Sequence, residues 1–133
     1  GRLASWWEGM NDPEVTMSTT RQHGTLIAHA KALEAAGQAI RLVLRVPAPL
    51  RPLADQVIRA ASSVPANLAE GQGRTGRDRQ HFWRIAYASA RELDSHLRLL
   101  AAAGGIDPAR AERVRTRFDD VRALTWRLLN PKA

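Results

Sequence analysis

Five polar residues, Gln56, Ser63, Asn67, Glu70 and Arg74, recur at steps of seven, four, three and four. On an α-helix those steps stack the side chains into one narrow stripe. Hydroxyl, amide, carboxylate and guanidinium groups in such a line could hold a ligand. They could equally tie helices together. Glu70 and Arg74 form an i, i+4 pair, Asn67 can bridge helices, and Ser89 on the following helix is a partner across the gap. An apolar stripe of Leu53, Val57, Ala60, Ala61, Val64 and Leu68 runs beside them. Polar groups at a core edge fix register at some cost in stability. Ser63, Asn67, Glu70 and Ser89 are therefore read as a structural polar network.

A second set is basic. Arg74, Arg77 and Arg79 crowd the turn after that helix, and Arg110, Arg113 and Arg117 share one face further along. Free N–H groups at a helix start can meet a phosphate, and the guanidinium fork matches its geometry. These six are the candidate nucleic-acid-binding residues. The whole chain has 20 Lys+Arg against 13 Asp+Glu. Residues 25–133 hold eighteen against ten, an excess of +8. A basic domain of this kind attracts polyanions, nucleic acid or an acidic protein surface, with affinity that falls steeply with salt. Eighteen Arg against two Lys also fits a GC-rich codon usage.

Signals for catalysis are weak. Arg91 and His96 match the loose Arg-x4-His spacing of the HEPN ribonucleases. Five residues along a helix turn the two side chains apart, however, and Glu92 follows the Arg where that family has another polar residue. The absence of Cys removes thiolate nucleophiles, thiolate metal sites and disulfides. No His, Asp or Glu grouping has metal-ligand spacing. No phosphate-binding Gly loop or Ser-His-Asp set is present. The reading is a non-enzyme with no catalytic residue, cofactor, metal or small-molecule substrate.

The elements that must carry these residues are helical. Residues 1–24 show no helical periodicity and are expected to be a flexible tail, with Trp6 and Trp7 its main apolar weight and Met17 a candidate for the true start. From Thr25, apolar steps of three and four predict a helix over 25–46 whose inner stripe is Leu26, Ala30, Leu33, Ala36 or Gly37, Ile40 and Leu44. Val46-Pro47-Ala48-Pro49 stops it. A second helix over 50–72 has Pro52 in its first turn, a kink expected at Pro65, and Gly71 and Gly73 at its end. A third spans 76 or 77 to 103, capped by Thr75. The fourth follows Asp107-Pro108 and reaches about 129. Four helices with short turns predict an all-α, antiparallel up-down four-helix bundle over 25–133. The third helix has an apolar stripe of Phe82, Ile85, Ala86, Ser89, Leu93, Leu97 and Leu100, and a second made of Trp83, Tyr87 and Ala90. That wide arc predicts a subunit interface at Trp83 and Tyr87. No apolar run is long enough to span a membrane; with no Cys and no signal peptide in the opening residues, this points to the cytoplasm.

Asn67-Leu-Ala-Glu-Gly71, Gly73-Arg74, and a helix with Ile85-Ala86, Ser89 and Glu92-Leu93 resemble the bacterial four helix bundle proteins. These are also called 23S rRNA intervening-sequence proteins. The likeness covers residues 25–130 and departs at Ala88, where the family usually has Gly. It implies an up-down bundle assembled as a homopentamer around a central channel. Relatives among the accessory variability determinants of diversity-generating retroelements imply binding of a reverse transcriptase and nucleic acid through a basic surface, without chemistry. The expected function is a self-assembling basic bundle that binds nucleic acid or a partner protein. A pure protein-interaction scaffold is the alternative.

Overall fold

The computed structural model describes residues 13–132, with side chains from Gln22 onward. The expected tail over 1–12, including Trp6 and Trp7, lies outside the described residues. Four helices run α1 Pro13–Val43, α2 Arg51–Gln72, α3 Gly76–Ala102 and α4 Pro108–Leu129, with a 3-10 turn at Ala48–Leu50 between α1 and α2. No strand occurs among the described residues. Each helix packs on the next, and α4 closes back on α1. Short links leave antiparallel neighbours as the only way to bury each apolar face, so this is an antiparallel four-helix bundle.

Local signals account for most boundaries. Asp107 caps α4 by accepting a 2.9 Å hydrogen bond from the Arg110 backbone N–H, and Pro108 sits where its missing N–H costs nothing. Pro47 and Pro49 confine the α1–α2 link to a single 3-10 turn. Gly104 has φ +80°, a left-handed conformation that favours glycine just past a helix end. Thr75 stands at the N-cap of α3 in extended conformation but makes no side-chain cap bond.

Three details differ from expectation. α1 begins at Pro13 instead of Thr25; proline suits a first helical position, and no Gly or Pro interrupts residues 14–23. α2 runs as one helix through Pro65, as expected, but the carbonyl freed there lacks the Ser62 or Ser63 hydroxyl expected to serve it. Ser62 Oγ donates to the Arg59 carbonyl at 3.1 Å and Ser63 turns to α3.

The third difference is the orientation of α1. Its buried face is Thr25, Ala28, Ala32, Ala35, Ala36, Ala39, Leu42 and Val43. The leucines expected inside lie outside: Leu26 is 55%, Leu33 53% and Leu44 56% exposed. Alanines let α1 settle close against α2 and α4. They meet Val57, Ala61, Val64 and Leu68 of α2, Leu93, Leu97 and Leu100 of α3, and Val114, Phe118 and Val121 of α4 in one core.

Candidate functional site

The polar stripe on α2 is divided by the fold. Ser63 Oγ lies 2.9 Å from Ser89 Oγ of α3. Asn67 Nδ2 donates to Ser63 twice, to its carbonyl at 2.8 Å and to its hydroxyl at 3.0 Å. These three residues form a half-buried clasp between α2 and α3. Glu70 is outside it, exposed and 2.7 Å from Arg74.

The turn between α2 and α3 is mostly occupied by internal contacts. Trp83 is 2% exposed, and its indole N–H donates to the Leu68 carbonyl at 3.3 Å. It fits because residue 71 is glycine: a Cβ there would stand 2.4 Å from the Trp83 ring. Trp83 is therefore a core residue of its own bundle. Its expected place in a subunit interface is corrected, since no ring surface remains for another copy. Tyr87 is half-buried. Phe82 and Ile85, expected deep in the core, are the half-buried ones instead. Ala88 is exposed on the single bundle.

Arg79 donates to the Gly71 carbonyl at 3.1 Å and the Gln72 carbonyl at 3.2 Å, while its guanidinium lies 5.5 Å from the Trp83 ring centre. It thus closes the C-terminus of α2, where carbonyls lack partners and positive charge is favoured. Arg74 pairs with Glu70 and sits 4.9 Å over Phe82. Of the three arginines expected to greet a phosphate here, only the exposed Arg77 is uncommitted among the described residues.

The second basic set is more open. Arg110, Arg113 and Arg117 line a groove of about 210 Å³ between α4 and α1, together with Gln38 and Arg41. Leu42 and Val114 form its floor. Arg117 is held 2.8 Å from Glu34 of α1, beside the groove. The side chains of Arg41, Arg110 and Arg113 have no ion pair or hydrogen bond among the described residues. Three unneutralised guanidinia on one concave strip create a positive potential that attracts phosphate or carboxylate. Sequence reasoning missed Arg41 and Gln38. Their three-residue spacing was legible, but not that this side of α1 faces α4.

One ion cluster is structural. Asp94 of α3 accepts from Arg98 at 2.7 Å and from Arg115 of α4 at 2.8 Å. Burial pushes its carboxyl pKa up, but the hydrogen bonds and charges of Arg115 and Arg98 outweigh that and hold it below the usual aspartate range. His96 is 3.0 Å from Glu92. No group of three potential metal ligands occurs among the described residues, and no described helix is long and apolar enough to cross a membrane.

Comparison with known proteins agrees with this architecture. The model of a family described as 23S rRNA-intervening sequence protein matches residues 25–127. A solved structure from Bacteroides thetaiotaomicron, a protein of unknown function from the S23 ribosomal protein family, superposes with TM-score 0.74 at 21% identity. The match covers 80% of this chain and 98% of that one. No curated protein matches in sequence.

Proposed function

The chain belongs to the 23S rRNA-intervening sequence protein family, and from that premise we propose that it is a self-assembling basic bundle that binds nucleic acid and performs no chemistry of its own. The observation that carries the binding reading is the set of unpaired guanidinia, Arg41, Arg110 and Arg113, on the groove between α1 and α4. Their partner is a chain of phosphates, which guanidinium forks engage without reading base sequence. A reverse transcriptase or another acidic-surfaced protein is the second reading. Co-purification before and after nuclease treatment separates the two.

The assembly reading rests on α1. Leu26, Ala30, Leu33, Gly37, Ile40 and Leu44 alternate at steps of four and three, the spacing of a coiled-coil seam. This line points away from the core, with Leu26, Leu33 and Leu44 exposed and open space beside Gly37. Large side chains alternating with Ala and Gly supply both knobs and holes for another copy. A helix with two apolar faces buries the second against a partner. In our reading that partner is a second copy, and the ring of five is what the resemblance implies.

Fluorescence anisotropy with a single-stranded RNA tests the binding. Affinity should fall linearly in log–log form as salt rises. The Arg110→Ala/Arg113→Ala variant should bind more weakly on every sequence, with a salt slope smaller by about 2, one for each phosphate left without its arginine. No affinity for RNA or DNA at low salt would overturn the reading.

A further inference from the structure

The seam and the basic groove share one helix, and their charges conflict. Arg41 lies one residue from Ile40 and three from Leu44, and Arg45 follows Leu44 directly. Both arginines are exposed, with no ion pair among the described residues. Toward the other end of the seam Glu34 balances Arg117, and beyond the 3-10 turn Arg51 is held by Asp55 at 3.2 Å. Among the described residues, Lys31 stands unpaired beside the N-terminal half of the seam, against the two arginines beside its C-terminal half, where the excess is therefore larger. Copies meeting along α1 bring these arginines toward one another, on domains that each carry an excess of +8 over residues 25–133.

We infer that polyanion binding and assembly are thermodynamically coupled: a polyanion lying across Arg41, Arg45, Arg110 and Arg113 neutralises the repulsion at the seam and drives copies together. The inference rests on the nucleic-acid-binding and self-assembly readings above and adds their linkage. Coupling is reciprocal, so the assembled form must bind the polyanion more tightly than the single bundle by the same factor. A strand long enough to cross two copies also makes the second contact intramolecular. Salt acts on the two steps with opposite sign. It weakens polyanion binding by reducing the gain from counterion release, but strengthens assembly of the protein alone by screening like charges over a Debye length of ~10 Å near 0.1 M.

Sedimentation velocity on the full chain, alone and with a single-stranded oligonucleotide, tests this. Without oligonucleotide, the assembly constant should rise about tenfold between ~50 and ~200 mM salt. With oligonucleotide at the lower salt, the assembled species should already dominate. The Arg41→Gln/Arg45→Gln variant should assemble better than the native chain at low salt and lose most of the salt response. Circular dichroism confirms that it folds, which its exposed positions favour. An oligonucleotide that binds while leaving the assembly constant unchanged overturns the coupling alone. No binding at low salt overturns the nucleic-acid reading beneath it. Failure to assemble under any of these conditions overturns the seam.

Discussion

Gly71 and Trp83 show how one position can depend on another twelve residues away. Glycine within a helix is disfavoured by about 1 kcal/mol relative to alanine, yet here the missing Cβ admits an indole ring that would otherwise be 2.4 Å away. The Arg79 carbonyl, 3.1 Å from the same point, is backbone and cannot swing aside. Gly71→Ala should therefore destabilise the bundle despite its better helix propensity, by about 1–3 kcal/mol of overpacking strain less that gain. A thermal melt checks it, and an unchanged or raised midpoint would show that the Trp83 pocket yields. Asp94 makes a pH prediction. Its folded-state pKa lies below the unfolded one, so its contribution is present above the ordinary aspartate range and is lost as pH falls through the folded value. Asp94→Asn should cost about 1.5–3 kcal/mol at neutral pH, the range for hydrogen bonds to a charged group. It should also flatten the acid limb of stability against pH. In the sequence Gly71 reads as a helix terminator and Trp83 as spare apolar surface, because neither position reveals the other.

At the scale of elements, α1 is the instructive case. Its three- and four-residue apolar steps are plain in the sequence, and so is the helix. Two apolar stripes fit the same segment, however, one rich in leucine and one in alanine. Ranking by side-chain size sends leucine inward, and the fold does the reverse. α1 has to pack between α2 and α4, and small residues let three helices approach where bulky ones would hold them apart. Leu33→Glu should therefore change the melting behaviour of the single bundle by no more than about 0.5 kcal/mol, as for most surface positions, while abolishing assembly in sedimentation. A strongly destabilised monomer would mean that Leu33 supports the core after all. The clasp between α2 and α3 is smaller in effect. Asn67→Leu should cost about 1 kcal/mol, because the Ser63–Ser89 hydrogen bond survives it. If melting and oligomer size are unchanged and RNA affinity is lost, Asn67 belongs to a ligand site.

For the whole molecule, charge and its placement matter most. The arginines near the α2–α3 turn and those on the groove sit at opposite ends of the bundle. About 40 Å separates those ends along a helix the length of α3, at ~1.5 Å per residue. They cannot form one site on a single copy. Arg74 and Arg79 are committed to Glu70, Phe82 and the end of α2, whereas Arg110 and Arg113 are free, joined by Arg41 from the far side of the groove. Arg74→Ala/Arg79→Ala should accordingly lower stability and leave the salt slope of RNA binding nearly unchanged. The groove variant should do the opposite. Measuring both properties on both variants checks the assignment.

Helix number, most helix ends, the closure into an antiparallel bundle and the family likeness were legible in residue order alone. Periodicity, Pro and Gly breaks and an Asp-Pro cap act over a few residues, so they survive without knowledge of neighbours. Which face of α1 turns inward, which arginines are already engaged, and that Arg41 joins Arg110 across a groove depend on contacts between residues far apart in the chain. Helical spacing says which side chains share a face; packing between helices says what that face meets.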